Sequence, residues 1–179
     1  MLRLHLPTLV LLSAAVLTLS TGARAEDAPK PIRALLVIGG GFHDYDKQKE
    51  ILPKGVSARA NVEWVVAYDN NTATTHLHSV YEKEDWYKGF DVVVHDECYA
   101  DVKDTKLIDR ILKPHRDGLP SVVLHCGMHC YRSEGWPKST PWFDFTGLVT
   151  TGHGPQVPIQ VSYTDKASKI TEPLKDWTT

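Results

Sequence analysis

Val122–Arg132 reads VVLHCGMHCYR. Its short apolar run has the character of a buried parallel strand. Directly behind that run stand His125, Cys126, His129 and Cys130, four side chains able to bind metal or carry protons. In open α/β sheets, residues just past the carboxyl end of a strand face the ligand crevice. One stretch therefore predicts both a fold class and the place where chemistry would occur.

The same grammar repeats on either side. Arg33–Ile38 (RALLVI) reads as a first strand and runs into Gly39-Gly40-Gly41. Asp44 to about Arg59 has helical spacing, with Ile51, Leu52 and Val56 inward and Pro53 disturbing its middle. Val62–Tyr68 reads as a second strand and Asp91–His95 as a third. A short helix is predicted over Glu82–Lys88. A longer one is expected from Asp104 to about Lys113, capped by Asp104, with Leu107, Ile108, Ile111 and Leu112 on one stripe. Ser121–His125 is the fourth strand, a helix is expected to begin near Gly127, and Val157–Tyr163 reads as a fifth strand. Strands alternating with helices predict a doubly wound, mostly parallel α/β sheet. No helix follows the fifth strand, so the domain over 32–179 reads as incomplete at its C-terminus.

The N-terminus belongs to a different class. Arg3 is followed by the apolar Leu6–Leu19 segment and then by Ala23-Arg24-Ala25, a small-x-small cleavage site. This is the pattern of a secretory signal peptide over 1–25, cut after Ala25, with 26–31 as a linker. The expected location is the periplasm or the cell exterior, with no membrane association after cleavage. The whole chain has 179 residues and a formal charge of −2, and cleavage removes two basic residues, Arg3 and Arg24. With no basic run, nucleic acid is not an expected partner. Three cysteines leave at least one thiol unpaired within the chain. A Cys98 link to the cluster is one arrangement consistent with both lying at strand ends.

Four groups carry the candidate chemistry. His125 and His129 can ligate a metal, whereas Cys126, on a strand-to-helix turn, would have thiolate favoured by the helix N-terminus. His95-Asp96-Glu97 ends the third strand; if that strand neighbours the fourth, His95 and His125 share one crevice. Gly39–Asp44 (GGGFHD) is not a dinucleotide fingerprint, so no nucleotide cofactor is expected, but its glycines admit a ligand and present His43. Gly152-His153-Gly154-Pro155 holds His153 in a turn. Trp142, in an aromatic, Pro-containing segment, reads first as a core or lid residue and second as a candidate for stacking on a sugar ring.

The order GGGFHD, HDE, LHCGMH and GHGP resembles the ThuA-like (trehalose utilisation) family, over roughly Arg33–Thr171. That resemblance implies a flavodoxin-like domain related to class I glutamine amidotransferases. It implies a retained polar set of His43, His95, Asp96, His125 and His153, and a substrate area of trehalose or related disaccharides. Cys126 falls at the amidotransferase nucleophile position, where ThuA-like proteins usually carry Ser or Ala. The leading expectation is an exported metal-assisted hydrolase or isomerase acting on a carbohydrate. His125, His95 and Asp96 would be catalytic, His43, His153 and Trp142 would bind substrate, and His95, His125 and His129 would hold a divalent ion, zinc first. The alternatives are a non-catalytic carbohydrate-binding module and a Cys-dependent amidotransferase or hydrolase.

Overall fold

Residues 29–179 are described by a computed structural model, and the expected signal peptide lies outside them. The main sheet contains β1 (Ile32–Gly40), β2 (Val62–Asp69), β3 (Val92–Cys98) and β4 (Ser121–Val123). All are parallel, in the order β2-β1-β3-β4. β1 is central: it pairs with β2 from Ile32↔Val62 to Gly39↔Asp69 and with β3 from Ala34↔Val92 to Gly40↔Cys98. Its residues from Ala34 onward are buried without interruption, which is why it reads as one apolar run.

The chain leaves β1 to one side for β2 and returns to the other side for β3. The direction of strand order thus reverses between β1 and β3, where open α/β sheets characteristically hold ligands. Helices cover both faces. α1 (Tyr45–Ser57), capped by the Asp44 carboxylate, lays Tyr45 and Leu52 against Leu36, Ile38 and Val94. On the opposite face, α2 (Thr105–Arg116) packs Ile108, Ile111 and Leu112, with Trp142 and Phe143 from α3 (Pro141–Thr146), against Leu35, Val37 and Val93. Each fully buried aliphatic side chain contributes roughly 1.5–3 kcal/mol.

Several elements differ from their sequence pattern. Ile51 and Val56 are exposed, leaving Leu52 as the inward member of that trio. The helix expected over Glu82–Lys88 is replaced by a 3-10 turn at Ser79–Glu82. β3 begins at Val92 and continues through His95, Asp96 and Glu97 to Cys98, with buried partners receiving His95 and Glu97. β4 stops at Val123 and gives way to a 3-10 turn over His125–His129, in place of an α-helix near Gly127. The predicted fifth strand survives only as β5 (Gln160–Val161), which pairs antiparallel with β6 (Trp177–Thr178) in a separate two-stranded sheet. Among the described residues, no helix is long and apolar enough to cross a membrane.

Candidate metal centre in a histidine-lined crevice

Close backbone packing builds the crevice. Gly39 and Gly40 adopt φ of 151° and 109°; a Cβ on Gly40 would stand 2.6 Å from the Cys98 carbonyl oxygen. A side chain there would push the turn off the end of β3. Gly127 plays the matching part after β4, where a Cβ would lie 2.7 Å from the His95 carbonyl oxygen. The two tight approaches bring the turn after β1, carrying His43, against the turn after β4, carrying His125 and Cys126. His125 itself has φ of 35°, a left-handed conformation unusual for a residue with a side chain. The strained residue at the end of β4 is thus the histidine, with Cys126 one position further into the turn.

His43 Nε2 lies 2.8 Å from Cys126 Sγ, and the His43 and His125 rings meet edge-on with centroids 4.7 Å apart. One ligand atom from each of His43, His125 and Cys126 falls within 4.8 Å of the other two, so this trio can hold a metal ion. Tetrahedral ligands around zinc lie roughly 3.5 Å from one another, a spacing that small side-chain rotations would reach here. The ring sequence continues outward. His153 stacks on His125 at 5.8 Å, and His129 meets His153 edge-on at 4.6 Å. These residues line a cavity of about 970 Å³, together with Cys98, Asp101 and Arg132.

Electrostatics favour neutral imidazoles. Burial, then the neighbouring His43 and His153, lower the pKa of His125. Burial, then His153 and Arg132, lower that of His129. Neutral imidazole is the form that binds metal. Cys126 is different: a hydrogen bond with Cys98 and burial both raise its thiol pKa, and the His43 contact opposes them less strongly. Without an α-helix N-terminus behind it, Cys126 lacks the field expected to favour thiolate. Cys98 itself is pushed up to about 12: its bond with Cys126 acts downward, outweighed by the bond with Cys130 and by burial. Cys98, Cys126 and Cys130 are all free thiols.

The structure does not bring His95 to this crevice. Alternation along β3 sends Val93, His95 and Glu97 to the α2 face and Val94, Asp96 and Cys98 to the α1 face. His95 and Glu97 are fully buried. Glu97 Oε1 accepts from Tyr81 at 2.7 Å, Tyr131 at 3.1 Å and His95 Nδ1 at 3.0 Å. His115 Nδ1 donates to the Leu119 carbonyl at 2.9 Å, which leaves its Nε2 to accept from His95 Nε2 at 3.0 Å. His95 uses both nitrogens inside the protein, so the expected ligand set of His95, His125 and His129 does not form. Asp96 is buried, does not line the cavity, and its Oδ2 has no hydrogen-bond partner among the described residues. Burial, then the charge of Glu97, raises it to about 7. Trp142 is likewise fully buried, its indole N–H donating to the Gly127 carbonyl at 2.8 Å; it supports the turn rather than a sugar ring.

The sequence carries no signal for His115, one histidine on an amphipathic helix, or for Arg132 as a cavity residue, whereas the strand-end position of Cys98 does point to the cluster. His78 is fully buried, with Nε2 shared between the Ile38 and Ala67 carbonyls. No protein-family model matches this chain, and no curated protein or solved structure matches it.

Proposed function

We propose that this chain is an exported, ThuA-like protein of carbohydrate metabolism that carries out metal-assisted hydrolysis or isomerisation at the His43–His125–Cys126 centre. The observation that carries this reading is the convergence of three donor atoms within 4.8 Å at the wall of a large cavity. The strand order β2-β1-β3-β4 supports the flavodoxin-like, amidotransferase-related architecture implied by the sequence resemblance. Two imidazoles and a thiolate suit zinc best. His43, His125 and Cys126 would hold such an ion, and the chemistry it would supply there is Lewis-acid activation of a sugar carbonyl or of water. His153, exposed beside His125, is placed to move a proton between the crevice and solvent. His95 and Asp96 serve the fold in this reading.

Elemental analysis of the mature protein, reconstituted with zinc and desalted, tests the centre. One zinc per chain is expected, with loss in His43→Ala, His125→Ala and Cys126→Ser and retention in His129→Ala. No bound zinc in the folded wild type would sink the proposal. Product formation from a trehalose and disaccharide panel then tests the reaction class.

A second reading, thiol chemistry at Cys126, draws on the 2.8 Å contact with His43. Cys126 is buried and its pKa is raised, which oppose it. Iodoacetamide separates the two. Alkylation faster than a model thiol supports the nucleophile, whereas slow alkylation further suppressed by zinc supports the metal centre.

A further inference from the structure

The far wall of the crevice carries a charge that no protein group neutralises. Arg33 pairs with Glu63 and Arg116 with Asp109; Arg59, Arg110 and Arg132 make no ion pair among the described residues, and of these three it is Arg132 that lines the cavity. Arg132 is half-buried, lines the cavity and is held from two sides: Nε donates to the His129 carbonyl at 3.2 Å, and the guanidinium lies 5.3 Å above the Trp136 ring. Neither contact uses the terminal Nη groups, the pair that grips a carboxylate or phosphate in a planar fork. Beside it, Thr150 Oγ1 fixes His129 Nδ1 at 2.6 Å and leaves Nε2 for another partner. The one carboxylate on this part of the wall, Asp101, is engaged by the Thr74 hydroxyl at 2.7 Å.

We infer that Arg132, flanked by His129 and His153, binds an anionic group of the substrate, so that the crevice takes an acidic sugar, a sugar carboxylate or a sugar phosphate, in preference to a neutral one. The geometry suits such a molecule. From His125 at the metal centre, the imidazoles of His153 and His129 succeed one another at 5.8 and 4.6 Å ring spacings and end beside Arg132. A ligand spanning that row would place a hydroxyl or carbonyl at the donor trio and its negative end on the guanidinium. The arginine's partial burial limits competition from water, which strengthens a charge-assisted pair.

This substrate class rests on the crevice being the reactive site, but its test is read separately from metal content. Binding of D-glucuronate, glucose 6-phosphate and neutral glucose to the zinc-reconstituted mature protein would be measured by titration calorimetry. At least one anionic sugar should bind tenfold or more tighter than glucose, and which one does so distinguishes carboxylate from phosphate. Arg132→Gln should keep its zinc and abolish that preference. Arg132→Lys, which keeps the charge but not the fork, should weaken it threefold or more. Equal binding of all three sugars, no binding of any, or a preference surviving intact in either variant would overturn the inference. A protein that lacks zinc yet shows the Arg132-dependent preference would keep the anion subsite and reject the metal centre.

Discussion

A Cβ on Gly127 would stand 2.7 Å from the backbone oxygen of His95, a distance that side chains essentially never reach. The obstructing atom belongs to the hydrogen-bonded interior of the sheet and cannot swing aside. Gly127→Ala must therefore move the His125–His129 turn, carrying His125 and Cys126 with it. A cost of about 2 kcal/mol is expected, as for other overpacked sites. Gly55, inside α1, offers the contrast: nothing lies within 4 Å of its added Cβ. Gly55→Ala should stabilise by up to about 1 kcal/mol, since alanine loses less backbone freedom on folding. Urea unfolding of both variants checks the pair, and a neutral Gly127→Ala would show that the turn is not seated as described. The same residue scale explains why His125 is legible as a site residue, whereas Trp142 reads both as a core or lid residue and as a sugar platform. A histidine directly after an apolar run at a strand end has few places to go but the crevice. A tryptophan in a Pro-containing segment fits either place until the Gly127 carbonyl that receives it is known.

At the scale of elements, β3 is the strand whose two faces decide the molecule. Its apolar start is readable in the sequence, but its continuation is not. His95, Asp96 and Glu97 resemble a strand end because an isolated run of such residues could not be buried. The fold supplies what the local sequence lacks: Tyr81 from a 3-10 turn, His115 from α2 and Tyr131 from beyond β4 converge on the α2 face. These partners are 14 to 34 residues away in the chain, and no local periodicity announces them. α2 itself is legible because its apolar stripe is local. If the network on one face of β3 is structural and the donor trio beyond the other is functional, the two must separate on mutation. Glu97→Gln removes the carboxylate on which Tyr81, Tyr131 and His95 converge and should cost about 2–3 kcal/mol, the usual penalty for depriving buried donors of their charged acceptor. Zinc bound per folded chain should remain that of wild type. Loss of zinc from Glu97→Gln that is still folded by circular dichroism would mean that the two faces act as one site.

For the molecule as a whole, two buried groups on opposite faces of the sheet bias stability in opposite directions with pH. Asp96 is raised to about 7 by burial and by the charge of Glu97. The folded state therefore holds a proton that the unfolded chain releases near pH 4, and this contribution weakens as pH rises from about 4 to about 7. His115 is lowered to about 4, chiefly by burial and further by the charge of His95, against the opposing effect of its bond to Leu119. Here the unfolded chain binds the extra proton, so stability is lost as pH falls from about 6.5 to about 4. Each effect is worth up to roughly 3–4 kcal/mol at one pKa unit per 1.36 kcal/mol, and their windows nearly coincide. These two contributions should consequently largely offset each other between pH 4.5 and 6.5 in the wild type. Asp96→Asn removes one arm while keeping the side chain's shape. Its stability should rise by about 2 kcal/mol from pH 4.5 to 6.5, leaving the histidine's dependence uncovered. Urea midpoints at the two pH values measure this directly. A flat profile in Asp96→Asn would mean that His115 is not held neutral by its burial against His95, and that the proton arrangement on the α2 face differs from the one its hydrogen bonds describe.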